Sequence, residues 1–510
     1  HNGNFYWKGF IYNENNQLIR ENELFKYLED CINDKNLFIN QVKLMNGHFI
    51  LINKIDDEII IVADKIRSFS LFYKTDGNKI QITDVLKNFE SKSGLIIDDN
   101  SVEELLQTGF ITGNDTIYEN VYQIRASEIT IISEYNIERT DYYTFMDSAD
   151  VDKGFEYYSK RYREIIDNVA KRLINEANGR QIVLSLSAGH DSRLIANMLY
   201  FAGYKNVLCF TYGTKDSFEV PIARLVAEKL GFRWIFVEYS YEFLDGFERK
   251  NDFIQFADYH GNSSAIPHIQ DYFAIEYLVK NNLIEKDAIF VNGHRPVFYL
   301  YEYMFFNRDF DKIQSEKTVN LILKHHYIFE KKYDKKLFKR KIRKQLNGKR
   351  YYEEFIDWQT KEFYSKFIFN SVRSNDYWGY EYRMPLLDDE IVEFFKKLPL
   401  KYKLLDNLYD KLNNTLYFEK TDTNQIPTAY KTANKFSFIK QLLKVKLLRF
   451  VHYKISYNFL TRYHNINNFE FIISKLVPEY KKIGKTEIWF NGNIAKWYVN
   501  NFINKNSRHI

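Results

Sequence analysis

The sequence predicts an α/β protein: a strand-rich first third, a doubly wound parallel sheet in the middle, and a helical last third. Three observations carry this. Residues 1 to about 145 read as short strands of alternating polarity between tight turns. From Ile182 to Glu238 the chain reads strand, helix, strand, helix, strand. From Thr318 onward apolar residues recur at helical spacing in a background rich in Lys, Tyr and Phe.

In the first third, Gly47 to Asn53, the turn Asp56-Asp57 and Glu58 to Asp64 form a hairpin pattern. Ser70 to Lys74, the turn Asp76-Gly77-Asn78 and Lys79 to Asp84 form a second. Ser101 to Leu106 reads as a helix start with a capping box. In the middle, Tyr157, Tyr158, Arg161, Tyr162, Ile165 and Ile166 fall on one helical face that runs to Leu173. The strand Ile182 to Leu184 follows, then a turn of small and polar residues, Ser185 to Ser192, then an apolar-periodic helix from Arg193. The strand Asn206 to Gly213, the helix Glu219 to Leu230 and the strand Trp234 to Glu238 complete the alternation, and a further strand is expected at Ala288 to Val291.

Composition bounds the rest. A chain of 510 residues is expected to form two or three domains, and 45% hydrophobic residues can build large cores. The 40 Tyr and 43 Phe make those cores aromatic, while seven Pro and 20 Gly leave little for long linkers. A net charge of +5 is too small and too dispersed for a dedicated nucleic-acid binder. Cys31 and Cys209 are far apart and carry no metal-ligand spacing, which suits a reducing, cytoplasmic setting. No run of about 18 apolar residues is present, so neither a membrane span nor membrane association is expected. The start HNGNFYWKGF does not read as a signal peptide.

The turn Ser185 to Ser192 carries the chemistry. A strand, a loop of small residues and a helix N-terminus make an anion site, because backbone N–H groups and the helix dipole both favour negative charge there. Ser187, Ala188 and Gly189 are small enough for a phosphate to reach the backbone, and Ser187 and Ser192 add hydroxyls. Asp191 would repel a phosphate unless a cation lay between them, which points to Mg²⁺ bridging Asp191 and a polyphosphate. In a doubly wound sheet ligands sit at the carboxyl ends of the strands, so Phe210, Thr211 and Tyr212 are expected beside this loop, through backbone atoms more than side chains.

The spacing Ser187-x-Gly189-x-Asp191-Ser192 resembles the pyrophosphate loop of N-type ATP pyrophosphatases, usually Ser-Gly-Gly-x-Asp-Ser. Three other stretches, "NGHFILI", "VADKIRSFSLFY" and "TGFITGNDTIYENVYQIRASE", are similar in order to the N-terminal glutaminase-like domain of asparagine synthetase. The segment Gly379-x-Glu381-x-Arg383-x-Pro385-x-x-Asp388 resembles that family's Gly-x-Glu-x-Arg-x-Pro-x-x-Asp. Gln255 to His294 resembles a branch encoded in bacterial surface-polysaccharide clusters.

This resemblance implies an N-terminal-nucleophile-like αββα sandwich over 1–148. It implies an ATP pyrophosphatase domain with a helical cap over 149–510. It implies ATP and Mg²⁺ as cofactors, with ATP held by Ser185, Ser187, Ala188, Gly189, His190, Asp191, Ser192, Phe210, Thr211 and Tyr212, and Mg²⁺ held by Asp191. Lys431, rather than Lys435, would offset charge on the α-phosphate, and Glu381 would help a Tyr deprotonate an attacking amine. For Glu381 and Arg383 a structural ion pair is an equal alternative. Glu219 matches an acidic family position or serves as a first-turn helix carboxylate. His268 and Asp271 line the substrate cleft or cap the helix that follows. The reaction implied is carboxylate activation by ATP, then transfer to ammonia or an amine. The acid would be a sugar uronate, a peptide or an amino acid, and a homodimer is an open option.

The chain departs from the family at several places. The family's catalytic Cys follows its initiator Met. Here residues 1–3 are His1-Asn2-Gly3 and Cys31 is too far along, so the glutaminase reaction has no candidate nucleophile, as in β-lactam synthetases and lasso-peptide cyclases. After the strand ending at Val291, relatives carry a second acidic metal ligand. This chain reads Asn292-Gly293-His294-Arg295-Pro296-Val297, with no carboxylate until Glu302. The ligand is lost, replaced by Glu302, or carried on residues missing between His294 and Val297. Ala188 stands where Gly is usual. These departures support the rival reading, a nucleotide-binding protein without catalysis. The basic run Lys435 to Arg462 reads as an amphipathic packing helix, with a membrane-surface role as the alternative.

Overall fold

Period-two alternation in the first third builds two sheets. The computed structural model describes residues 4–13, 15–20, 22–76, 79–92, 95–134, 136–147, 151–295, 312–330, 332–403, 407–426, 467–479 and 487–503. Strands β1 (Phe5–Tyr12), β2 (Leu18–Ile19), β3 (Asn46–Ile55), β4 (Glu58–Ala63), β8 (Glu128–Ile132) and β9 (Ile137–Asp141) form an antiparallel sheet in the order β2-β1-β3-β4-β8-β9. Strands β5 (Phe72–Asp76), β6 (Lys79–Thr83) and β7 (Val121–Gln123) form a smaller one, β6-β5-β7.

Successive side chains point to opposite faces. Leu51, Ile60, Val62 and Ile129 therefore pack on Leu24, Leu28, Phe38 and Val42 of helices α1 (Asn22–Leu28) and α2 (Lys35–Leu44). Their neighbours Ile50, Ile61, Ala63 and Ile132 face Leu71, Tyr73 and Ile124 between the sheets. On the far side of the small sheet, Phe72 and Val121 pack with Leu105 of helix α3 (Asp99–Thr108). The layers are thus helix, sheet, sheet, helix, as expected.

Helix α3 begins earlier than the capping-box reading. Its N-cap is Asp98, which accepts from the Asn100 N–H, while Ser101 sits inside the helix and donates its hydroxyl to Asp98 at 2.6 Å. Glu104 cannot serve as the box's carboxylate, because it is fully buried and paired with Lys341 at 2.6 Å.

The middle of the chain forms a parallel sheet. Strands β10 (Ile182–Ser185), β11 (Val207–Gly213), β12 (Arg233–Glu238), β13 (Ile289–Val291) and β14 (Glu381–Arg383) lie in the order β12-β11-β10-β13-β14. Helices cover both faces. Ile182, Leu184, Cys209 and Ile289 pack under α4 (Phe155–Ala177), α5 (His190–Phe201) and α6 (Glu219–Leu230). Val183, Leu208, Phe210 and Phe290 pack on the opposite side with Phe256, Tyr272 and Ile275. Helix α5 starts at His190, three residues before the sequence pattern suggested, because polar residues fill its first turn. The strand order reverses between β10 and β13, and such a reversal opens a crevice at the strands' carboxyl ends. Among the described residues no helix is long and apolar enough to cross a membrane.

Candidate active site

The loop after β10 reaches this crevice. Gly189 precedes α5 in an extended conformation (φ −76°, ψ 170°), and among the described residues no side chain caps the helix. An uncapped N-terminus leaves backbone N–H groups for a ligand. The two serines brace the loop from within. Ser187 Oγ accepts from the Gly189 N–H at 3.1 Å, and Ser192 Oγ accepts from the Ser187 N–H at 3.1 Å. Ala188 is fully buried and does not adopt positive φ, so its methyl replaces the usual glycine without strain.

Phe210 and Thr211 hold this loop from behind. The Leu186 N–H donates to Phe210 O at 2.9 Å, and Thr211 Oγ1 donates to Leu186 O at 2.7 Å while accepting from Trp234 Nε1 at 3.0 Å. The Phe210 side chain lies in the core and Thr211 is buried, so their part is to position the loop. Tyr212 does line the cleft, stacked on Tyr239 with centroids 5.1 Å apart. Glu219 begins α6; burial raises its carboxyl's pKa, and a hydrogen bond from the Ala188 N–H lowers it in part. Glu219 is therefore the first-turn carboxylate expected, and it also grips the loop.

The opposite wall comes from the segment after β13 and from residues around 268–271. Gly293 seats that segment on α5: a Cβ here would lie 3.0 Å from Ser192 N, tighter than ordinary contact. His294 Nε2 is 3.0 Å from Ser371 Oγ, and burial lowers its pKa to about 4, so the ring is neutral. His268 donates Nε2–H to Phe367 O at 2.8 Å, and burial likewise takes it down to about 4. Asp271 makes no capping hydrogen bond to the helix that follows; it accepts from Ser374 Oγ at 2.9 Å. Burial pushes its carboxyl up to about 7, against the lowering effect of Ser374. His268 and Asp271 thus both line the cleft. Gln270 Oε1, His294 Nδ1 and Asn467 Oδ1 are buried in the same wall with no hydrogen-bond partner among the described residues. Such atoms are costly unless a ligand or water satisfies them.

Asp191 also lies in the cleft, but its carboxylate is engaged. Oδ1 accepts from Arg295 Nε at 2.9 Å and from the Tyr409 hydroxyl at 2.7 Å. His190 turns aside, with Nδ1 at 2.6 Å from Asp410 Oδ1. Among the described residues no group of three or more His, Cys, Asp or Glu could hold a metal ion. At a nucleotide site Mg²⁺ takes one or two carboxylates and completes its shell with phosphate oxygens and waters. Asp191 could supply one such carboxylate, its Oδ1 being paired here with Arg295 and Tyr409. Glu302, Lys431, Lys435 and the run Lys435 to Arg462 fall outside the described residues or largely so.

Glu381 is not in this cleft. It is the first residue of β14, level with Ile289 and so with Ile182, at the amino edge of the parallel sheet. Three residues of strand, about 10 Å, separate that level from Ser185. Its carboxylate is shared by Arg20 at 3.0 Å, Arg180 at 2.9 Å and Arg383 at 2.7 Å. Arg383 and Arg20 also pair with buried Glu176. The expected role for Glu381 with an attacking amine is corrected by this placement, and the ion-pair alternative holds. Asp388 belongs to the same joint, paired with Arg172 at 2.8 Å. Arg295, Tyr409, Gln270 and Ser371 were missed from sequence. Only Arg295 carried a signal, its place in the departing segment after β13.

Residues 296–419 match the family model for asparagine synthase. No curated protein matches the chain. Among solved structures it is similar to glutamine phosphoribosylpyrophosphate amidotransferase from B. subtilis complexed with ADP and GMP, at 11% identity over 59% of this chain and 64% of that one, TM-score 0.20. It is similar to an allosteric regulatory enzyme of purine biosynthesis, at 11% identity over 64% and 58%, TM-score 0.20. It is also similar to an NH3-dependent NAD synthetase from Campylobacter jejuni in complex with nitrate, at 13% identity over 34% and 84%, TM-score 0.20. The chain thus spans about three fifths of the amidotransferase and of the purine-biosynthesis enzyme. The family match therefore supports a likeness to asparagine synthase over residues 296–419, about a quarter of the chain.

Proposed function

We propose that the chain is an ATP-dependent, amide-forming synthetase that activates a carboxylic acid as its acyl-adenylate. The observation that carries this reading is the cleft at the switch point. One wall is the N-terminus of α5, and the other holds Gln270, His294 and Asn467 atoms without partners among the described residues. The first wall suits a polyphosphate, and the second suits a polar acceptor molecule.

In the proposed reaction a carboxylate oxygen of the substrate attacks the α-phosphorus of ATP. The bond to the bridging oxygen breaks and pyrophosphate leaves, held by the backbone N–H groups of α5 and the hydroxyls of Ser187 and Ser192. A nitrogen nucleophile, ammonia or an amine, then attacks the acyl carbon, and AMP departs with the electron pair of the broken acyl–oxygen bond. The nitrogen must lose a proton. Asp271 is the group we assign to accept it, because it lines the cleft and burial raises its pKa to about 7. The resemblance to the polysaccharide branch makes a uronic acid the first substrate to try. Mg²⁺ accompanying the ATP would be held by Asp191 and would offset charge on the polyphosphate.

The test is pyrophosphate release from ATP by the full chain, screened over uronic acids, amino acids and short peptides, with ammonium or an amine present. Release that depends on one class of acid supports the reading. ATP binding with no release for any acid favours the nucleotide-binding protein without catalysis.

A further inference from the structure

We propose that the face formed by the helices Ser315–His326 and Lys335–Arg343 docks the protein peripherally on an anionic lipid surface. The proposal goes beyond the ATP reading and does not depend on it. It starts from where the charge lies. The whole chain has a net charge of only +5, yet residues 312–350 hold 14 Lys and Arg against three Asp and Glu. Charge that looks dispersed over the full length is therefore concentrated in one segment. Such an asymmetry marks a surface for a polyanionic partner. The lack of a long apolar run excludes a membrane span, not a contact that folding assembles from two helices.

Folding gathers the cations on one face. In the helix Lys335–Arg343, Phe338 and Ile342 are buried, and Lys341 turns to Glu104 at 2.6 Å and Asp115 at 2.9 Å. The other side of this helix presents Lys336, Lys339, Arg340 and Arg343, spaced i, i+3, i+4 and i+7. Lys336, Arg340 and Arg343 are exposed, and Lys339 is half-buried. In the helix Ser315–His326, Val319 and Ile322 are buried while Lys317, Asn320 and Lys324 are exposed. The Arg343 guanidinium donates to Glu316 Oε2 at 2.8 Å, so the two outer rows share one surface. Glu316 is the only carboxylate on the two helices.

Two features favour lipid over nucleic acid. Most of these cations are Lys, point charges on long flexible stems that suit a diffuse layer of headgroups, whereas nucleic-acid recognition leans on the planar fork of Arg. Clusters of roughly four to eight Lys and Arg on an amphipathic helix fit anionic headgroups. Ile313, three residues before Glu316, is 66% exposed, and an apolar side chain at the edge of a basic face can enter the headgroup layer.

The experiment is sedimentation of the full chain with vesicles of phosphatidylcholine alone and of phosphatidylcholine with phosphatidylglycerol. The expected result is binding to the anionic vesicles only, with release in about 0.5 M salt, where the screening length falls to roughly 4 Å. Lys336→Gln, Lys339→Gln and Arg340→Gln together should weaken that binding at least tenfold, with an unchanged thermal midpoint as the check on folding. Equal binding to both vesicles, or to neither, would overturn the proposal. So would the triple variant binding like wild type. Salt-dependent binding to a duplex oligonucleotide without binding to anionic vesicles would also overturn it and give the face to nucleic acid. The wild-type comparison needs no variant, so a poorly folding substitution does not remove the test.

Discussion

Replacing Asp271 by Asn removes a charge that burial makes costly, and the cost can be worked from its titration. An ordinary Asp titrates near 3.8, whereas burial holds Asp271 near 7. A carboxyl whose folded pKa is raised binds its proton more tightly in the folded state. Its favourable contribution is fully present below the unfolded pKa and is lost as pH rises through the folded one. Between pH 5 and pH 8 the wild type should therefore lose about two pH units' worth of linkage, at about 1.4 kcal/mol per unit. That is on the order of 2–3 kcal/mol before discounting for solvent in the cleft. Asn keeps an oxygen to accept from Ser374 and carries no charge, so the stability of Asp271→Asn relative to wild type should grow over that range. Thermal midpoints of the ligand-free proteins at pH 5, 6.5 and 8 measure this. A gap that stays constant with pH would refute the burial argument. In the synthetase assay the wild-type rate should rise through about pH 7 as the base is deprotonated, and Asp271→Asn should lose that limb by about 10²-fold or more. An unchanged rate profile would remove Asp271 from the mechanism.

Gly293→Ala places a methyl carbon 3.0 Å from Ser192 N, so the loop must shift; ATP affinity should fall about tenfold, with a stability loss of about 1–3 kcal/mol by calorimetry. Thr211→Val deletes the donor to Leu186 O and the acceptor for Trp234 Nε1, which should cost about 1–3 kcal/mol and weaken ATP binding without touching the ligand. Glu381→Gln leaves Arg20, Arg180 and Arg383 without their shared anion and should lower the unfolding midpoint. Hydrogen bonds from Arg20 and Arg180 hold Glu381 below the usual carboxylate range despite burial, so this loss should be seen at neutral pH and fade in acid. Refolded to the same extent, Glu381→Gln should keep its rate of pyrophosphate release; a large fall in that rate would return Glu381 to the cleft.

What could be read from sequence was whatever is local. The alternation in β3 and β4, the apolar face of α4 and the strand–loop–helix around Ser187 to Ser192 all report on neighbours within a few residues. The pairings that decide roles are not local. Glu381 reads like a cleft residue until β14 is laid in register with Ile289 at the wrong end of the sheet, and its partner Arg20 is 361 residues away. Asp191 pairs with Arg295, 104 residues later, a contact no local pattern shows. Thr211 and Phe210 were legible as neighbours of the loop, but only the packing shows that they grip it. His268 and Asp271 were legible as a pair with two readings, and the missing capping bond at Asp271 separates them.

The most direct test of carboxylate activation follows oxygen. The acid found in the pyrophosphate screen, labelled with heavy oxygen in its carboxylate, is turned over with ATP and an amine, and the nucleotide product is read by mass spectrometry. The account predicts one labelled oxygen on AMP, because the carboxylate attacks the α-phosphorus. Label in inorganic phosphate, or AMP without label, would contradict it.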